Sequence, residues 1–362
     1  MIYRDADVVV VGGGAMGSAA AWQLAGRGVD VVLLERFAAG HTLGASHGAS
    51  RIFRLAYPDL VYVALARRAL DLWHELEDGS GTTLLTTTGG VHHGRPADLT
   101  ALAGTLAAAG EPGTWLEAGT AMERWPGMRF DGRVLFHRHT ARVHADDAVA
   151  ALRSSAEEAG AVTHFETPVA EIVPRGENRV EVRTRDRTYR ARVAVVTAGA
   201  WTAKLLGRLV PLPPLVVTQE QPAYFARNAD LVWPAFIHFR RTDEVYGLDT
   251  PGEGVKVGEH GTGPRVDPDR RDYRPDPARL QELRRYVHDW LPGLDPDVFT
   301  PISCTYTSTP RRDFVLDRAG PVVVGAGFSG HGFKFVPAVG RVLAELALGG
   351  RCPDPRFALP EA

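Results

Sequence analysis

The chain has 362 residues, more than one compact core usually takes, so two domains with a cleft between them are expected. Its 43 acidic and 41 basic residues leave a net charge of −2 with no basic stripe interleaved with aromatics, which excludes a nucleic-acid partner and points to a small molecule. Asp5 and Asp7 interrupt any signal-peptide core, no apolar run reaches membrane-spanning length, and the only cysteines, Cys304 and Cys352, lack zinc-ligand spacing; a soluble, cytoplasmic, metal-free protein without a disulfide framework is expected.

In chain order, Asp7 to Val11 is a β-branched run ending in glycines, Ser18 to Gly26 carries helix-forming Ala, Gln and Leu, and Val29 to Leu34 is a second apolar run. That is strand, glycine turn, helix, strand. Leu60 to Leu76 has helical apolar spacing, and Thr87 to Asp98, rich in Thr, Gly and His, reads as a crossover into a second domain. Asp146 to Ala159 reads as helix; Val162 to Phe165, Val180 to Thr184 and Tyr189 to Val196 read as strands of the first domain. Pro211 to Pro222 is a proline-punctuated exit. Thr250 to Asp276 is dense in Gly, Pro and charge and predicts exposed connections, with Gly252 to Gly263 as a mobile cover. Gln281 to Trp290 reads as helix, Pro321 to Val324 as strand, and Phe335 to Leu348 as the closing helix. The chain thus divides into a discontinuous nucleotide-binding domain, residues 1–88, 145–216 and 313–362, and a mixed α+β domain, residues 89–144 and 217–312.

Gly12-Gly13-Gly14-Ala15-Met16-Gly17 fits G-x-G-x-x-G directly after a buried-type strand and before a helix, where backbone N–H groups can hold a pyrophosphate. Glu35 ends the second strand, 18 residues after Gly17, where a carboxylate can accept hydrogen bonds from a ribose. These features fit FAD and nicotinamide dinucleotides equally. A second glycine turn between a strand and the last helix, Gly325 to Lys334, separates them: an FAD stretched across the protein needs donors at its distant ring, and a helix N-terminus stabilises negative charge there. The expected fold class is α/β, a Rossmann-type FAD-binding domain with a second mixed α+β substrate domain.

Of the 41 basic residues only Lys204, Lys256 and Lys334 are lysine. Lysine retained against such a bias suits a site that needs a compact ammonium of adjustable pKa. For any one of them alone, chance is the better account.

Five segments carry a family resemblance: Ser46 to Arg54, Ala198-Gly199-Ala200-Trp201, Val255 to His260, Cys304-Thr305-Tyr306-Thr307 and Gly327 to Phe335. With the N-terminal fingerprint they run nearly end to end, and the chain resembles the monomeric sarcosine oxidase and N-methyltryptophan oxidase family, within the larger D-amino-acid-oxidase-like group. The resemblance implies FAD bonded covalently to Cys304, a substrate carboxylate held by Arg54 and Lys334, and oxygen reduced beside Lys256. Tyr246, Tyr306 and His260 would line the substrate pocket. His47 and Arg51 would lie against the flavin, and Gly12, Gly14, Ala15, Met16, Gly17, Glu35, Arg36, Val169, Gly199, Trp201, Gly330, His331, Gly332 and Phe333 would complete the cofactor site. Where relatives carry Asp-Thr, this chain has Ala49-Ser50, so hydrogen bonding around His47 is expected to differ.

Taken singly, Arg54 is one arginine among 38, Tyr246 and Tyr306 suit capped core aromatics, His260 and His331 suit turns, and Trp115, Trp125, Trp201, Trp233 and Trp290 suit packing. As a set, the resemblance implies an oxidase of small secondary amines such as sarcosine or other N-methyl or cyclic amino acids. It would be a monomer that releases hydrogen peroxide and an imine hydrolysing to aldehyde and primary amine. The fingerprint alone also permits a nicotinamide dehydrogenase, and the fold alone permits a dehydrogenase using an acceptor other than oxygen or a flavoprotein with a non-catalytic cofactor.

Overall fold

A computed structural model describes residues 2–361; Met1 and Ala362, the outer limits of the expected first domain, lie outside the described residues. Four-residue apolar runs, Val8–Val11, Val31–Leu34 and Val193–Val196, are buried at every position, as strands covered on both faces must be. They sit in a six-stranded sheet whose spatial order is Val162–His164, Val31–Leu34, Val8–Val11, Val193–Val196, Val322–Ala326, Val315–Ala319. All neighbours pair in parallel except the final hairpin. One face is covered by helices Ala15–Ala25, Ala145–Glu158 and Val336–Ala347, and the other by a four-stranded sheet contributing Ile172, Val180, Val182 and Tyr189. The expected run Tyr189 to Val196 is two strands: it breaks at Arg192, with Arg187–Ala191 in the four-stranded sheet and Val193–Val196 in the six-stranded one.

An eight-stranded sheet runs Leu294–Pro301, Ala223–Arg227, Gly254–Glu259, Glu244–Thr250, Ala235–Phe239, Gly90–Gly94, Val134–His137, Thr114–Leu116. On its outer face helix Pro277–Trp290 packs against Phe225, Phe236, Val255 and Val257, with Trp125 and Trp233 buried and Trp290 partly buried in the same cluster. Along Gly254–Glu259 the pleat alternates, sending Val255 and Val257 to that core and Lys256 to the opposite face. Two expectations are corrected here. Thr250 to Asp276 is not all exposed connection, and Gly252 to Gly263 is not a cover, because Val255 to Gly258 are buried in an internal strand paired on both sides. Glycine density misled: Gly247, Gly254 and Gly258 are there because neighbouring side chains or backbone fill the space of a Cβ, Phe236 lying 2.3 Å from one built at Gly247. Similarly, the crossover Thr87 to Asp98 contains strand Gly90–Gly94 and the start of a helix at Pro96, and the Pro211 to Pro222 exit contains strand Val216–Glu220, paired with Cys304–Ser308. Among the described residues no helix is long and apolar enough to cross a membrane.

Buried imidazoles make this sheet acid-sensitive. His93 and His238 stack with centroids 3.9 Å apart on paired strands, edged by Phe130 and Trp290, and neither ring nitrogen of His93 has a hydrogen-bond partner. Burial favours the neutral rings, holding His238 at about 4 and His93 well below the usual imidazole range. In the unfolded chain both titrate near ~6.5, so below that pH the unfolded state binds more protons, and stability present above it is lost as pH falls toward 4. Melting temperature should therefore drop between pH ~6.5 and ~4, and the drop should be smaller in His93→Phe. A variant as acid-sensitive as the parent would show that the stack does not cause the loss.

Candidate active site

Between the six- and eight-stranded sheets lies a cavity of about 1060 Å³, at the upper limit for a small-molecule pocket and long enough to touch Glu35 at one end and Lys256 and Lys334 at the other. Every site residue expected from the sequence lines it except Gly17.

At the glycine-rich end the chain turns with Gly12 at φ +102°, and a Cβ there would stand 2.5 Å from the Thr197 carbonyl. Gly17 lies beneath this turn, where a Cβ would come within 1.9 Å of the Gly12 carbonyl oxygen. Its place is close packing of helix on strand, and it does not itself line the cavity. Gly14, Ala15 and Met16 then present the N-terminus of helix Ala15–Ala25 to the cavity, with the Ala15 N–H donating to Ser46 Oγ at 3.0 Å. Glu35 accepts from the Gly13 and Phe37 N–H groups at 2.7 and 2.9 Å, with His41 Nε2 3.4 Å away. Burial pushes this carboxyl up, but His41 and the two backbone donors outweigh burial and hold it below the usual range. Arg36 lies over the Phe37 and Trp201 rings and pairs with Asp269 at 2.9 Å, while Val169 and Gly199 line the wall.

Segment Ser46 to Arg54 forms the middle of the cavity. Arg51 folds it back on itself, donating to the carbonyls of Ala45, His47 and Ser50 at 3.0, 2.6 and 2.8 Å, and lies over the Phe333 ring. His47 Nε2 is buried without a partner, and burial together with Arg51 and Lys256 lowers the ring to about 4, so it stays neutral. A cavity-lining nitrogen left in this state is an acceptor or donor awaiting a ligand. At Ala49-Ser50 the buried Ser50 hydroxyl bonds Thr250 Oγ1 at 2.7 Å.

The far end gathers cations. Lys256, 4% exposed, donates to the Ser50 carbonyl at 3.3 Å with its ammonium over Tyr224; burial and then Arg51 lower it to about 7. Lys334, 7% exposed, donates to the His331 carbonyl at 2.7 Å, flanked by the Tyr57 and Phe335 rings; burial and Arg54 lower it well below the usual ammonium range. Arg54 donates to the Ala56 carbonyl and covers the Tyr57 ring. Tyr246 and Tyr306 share a hydrogen bond, and burial raises both hydroxyls, so they remain protonated. His260 sits 5.3 Å from the Tyr306 ring, and burial with Arg312 and Lys334 lowers it to about 3. Gly330, at φ +76°, lies so close to Tyr306 that a Cβ would meet the ring at 2.1 Å; Gly332 meets Phe328 and Met16 in the same way, joining the two ends of the cavity. His331 Nε2 donates to the Arg312 carbonyl at 3.0 Å, which leaves Nδ1 facing the Tyr57 hydroxyl. Cys304, half-buried at the start of Cys304–Ser308, lines the wall beside these groups.

Lys204 is separate from this set. It is exposed, and pairs with Asp267 and Asp269 beside Arg36. Sequence reading missed His41, Ser46, Tyr57 and Asp269. Tyr57 carried a local signal, three residues after Arg54; Asp269 carried none, being paired with residues more than 60 positions away.

A family model described as "FAD dependent oxidoreductase" matches residues 7–346. Monomeric sarcosine oxidase of Bacillus sp. (strain B-0618) is 35% identical over 95% of this chain and 93% of its own, and N-methyl-L-tryptophan oxidase of Salmonella heidelberg (strain SL476) is 29% identical over 95% of each. Among solved structures, the open form of NikD, described as an unusual amino acid oxidase essential for nikkomycin biosynthesis, matches with a TM-score of 0.87 at 29% identity over 98% of each chain. With the glycine cradle, the fixed Glu35 carboxylate and the unpartnered His47 ring along one cavity, these likenesses place the protein: the chain belongs to the DAO family of FAD-dependent oxidoreductases.

Proposed function

We propose that the protein is an oxidase of secondary amino acids, N-methylated or cyclic, that holds FAD covalently through Cys304 and acts as a monomer. The observation that carries this reading is the pair Arg54 and Lys334, brought from opposite ends of the chain to one cavity wall, with no carboxylate at ion-pairing distance of either among the described residues. Buried cations without an anion are costly, so the anion is supplied by the ligand, as a carboxylate. The similarity to sarcosine, N-methyl-L-tryptophan and amino acid oxidases supports an amine beside that carboxylate.

Gly12 to Met16 would hold the pyrophosphate at the helix N-terminus, Glu35 the ribose, and His47, Arg51 and Gly330 to Phe333 the ring. The division into residues 1–88, 145–216 and 313–362 against 89–144 and 217–312 is supported by strand membership, since all eight strands of the large sheet fall in the second set. FAD held there would supply an acceptor for the hydride leaving the carbon next to nitrogen and a route for two electrons to oxygen, with hydrogen peroxide as the product. The residues prepare the amine. Only a free base releases hydride readily, and a secondary ammonium has a pKa near ~10. Lowering it by ~2 to 3 units costs ~3 to 4 kcal/mol, which Arg54, Lys334 and Lys256 supply by disfavouring another positive charge. Neutral His260 accepts a hydrogen bond without adding charge, and Tyr246 and Tyr306 offer hydroxyls to the same face. The imine formed hydrolyses in water to an aldehyde and a primary amine.

Three measurements test this. Yellow colour should stay with the acid-precipitated chain and be lost from the precipitate of Cys304→Ser, while Cys352→Ser leaves it in place, since Cys352 packs against the helical core and bonds the Asp354 carbonyl away from the cavity; flavin washing free of the native protein rules out the bond. Lys256→Met should slow reoxidation by oxygen ~100-fold, on the scale of losing one electrostatic donor, with reduction by substrate less affected. Because the ammonium is the form that stabilises charge developing on oxygen, native reoxidation should decline as pH rises above about 7, and the variant should be flat there. Equal slowing of both half-reactions would reassign Lys256 to substrate binding. In a panel of sarcosine, N-methyltryptophan, pipecolate and dimethylamine, the three acids should be oxidised best, and Arg54→Ala and Lys334→Ala should each weaken them ~10- to 100-fold, the worth of a hydrogen bond to a charged group. If dimethylamine is as good a substrate, or both variants keep native affinity, the carboxylate reading fails.

A further inference from the structure

One lysine retained in this arginine-rich chain takes no part in the chemistry above. Lys204 pairs with Asp267 and, at 2.6 Å, with Asp269. Asp269 is a node: its carboxylate also accepts from Arg36 at 2.9 Å and from the Trp201 indole N–H at 2.8 Å. Arg36, Trp201, Lys204 and Asp269 all line the end of the cavity where Glu35 is fixed. The two aspartates belong to the connection between strand Gly254–Glu259 and helix Pro277–Trp290, whereas Arg36, Trp201 and Lys204 follow strands of the six-stranded sheet. The tip of this connection is anchored on both sides. Before it, the Gln219 and Val266 N–H groups bond the Pro264 and Val217 carbonyls at 2.9 and 3.0 Å. After it, Arg271, 9% exposed, donates to Gln219 Oε1, the Leu43 carbonyl and the Ser303 hydroxyl at 3.1, 3.3 and 2.8 Å, one residue from Cys304.

We infer that Asp269 is a positioning residue of the cofactor site, closing residues 267–270 over the adenosine end of the cavity through Arg36, Trp201 and Lys204, so that FAD enters, and leaves where no covalent bond retains it, only when these contacts break. This rests on the cavity being the FAD site. The contacts differ in kind from those at the other end. Arg36, Lys204, Asp267 and Asp269 are each more than one-third exposed, so salt screens their pairing, while Arg271 and the backbone bonds are sheltered and hold the rest of the connection in place. The closure is therefore reversible at its tip alone, and its strength depends on ionic strength. Lysine suits the position: one ammonium reaches two carboxylates from different directions, which a planar guanidinium matched to one carboxylate does less well.

The test follows FAD release by the rise in flavin fluorescence in Cys304→Ser holoprotein, where no bond to the chain masks it. Asp269→Asn, which keeps an acceptor for Trp201 and loses the charge, and Lys204→Met should each speed release roughly tenfold, while Lys204→Arg restores part of the parent rate. Salt at ~1 M should speed release from the parent and have little further effect on Asp269→Asn. Parent-like release from both variants, or equal salt acceleration in all proteins, overturns the inference. If Cys304 proves not to hold the flavin, the native protein serves as parent in the same comparison, so failure of the covalent reading leaves this result separate.

Discussion

The structure depends on holding Arg54, Lys256 and Lys334 along one cavity with no carboxylate at ion-pairing distance of any of them among the described residues. An isolated buried charge is among the most expensive things a fold can contain. Here the cost is reduced in two ways that leave the charges free for a ligand. Each ammonium has one backbone carbonyl, Ser50 for Lys256 and His331 for Lys334, and Arg54 has that of Ala56. Aromatic faces supply the rest, from Tyr57, Tyr224 and Phe335. Carbonyls and ring faces attract a cation without cancelling its charge, so the field in the cavity stays positive. The neutral state of His47, His260 and His331 follows first from burial and then from the nearby cations.

That field has to be assembled from distant parts of the chain, and glycine does much of the joining. Gly330 lies against Tyr306 and Gly332 against Met16, so the last glycine turn touches both the substrate end and the first glycine turn. The second turn repeats the geometry of the first at the other end of the cavity, each leading from a strand of the six-stranded sheet to a helix packed on one face. Arg51 makes the middle segment rigid by consuming three carbonyls of its own loop, which holds Ser50 where its carbonyl meets Lys256.

Much of this was legible because the signals were local. A four-residue valine run followed by Gly12 to Gly17 specifies strand, turn and helix within one stretch of chain, and the Cys-Thr-Tyr-Thr and glycine-lysine segments mark the far end just as compactly. Reading failed where the deciding partner is remote. Strand Gly254–Glu259 carries glycines that look like loop until the Phe225 backbone is seen to fill the space at Gly254, and Tyr246 and Pro222 that at Gly258. Tyr189 to Val196 looks like one strand because the two sheets that divide it at Arg192 are built from other segments. His93 and His238 are 145 positions apart and polar, yet stack in a core. Asp269 shows nothing in sequence, since the residues it ties down lie far from it in the chain, Arg36 just after strand Val31–Leu34 and Trp201 and Lys204 on the short helices Gly199–Trp201 and Thr202–Leu206.

The alternation along Gly254–Glu259 has a consequence for how this protein can diverge. Turns between antiparallel strands normally tolerate changes of length, and Pro251 to Glu253 is exposed enough to invite them. A single inserted or deleted residue there that shifted the register would exchange the two faces of the strand, sending Lys256 into the outer apolar core with Phe225 and Val287 and turning Val255 or Val257 toward the cavity. Length changes that the turn absorbs, or that shift the register by an even number of residues, keep the ammonium facing inward. Libraries that randomise this turn, and natural lineages that remodel it, are therefore constrained by the strand register more than by residue type.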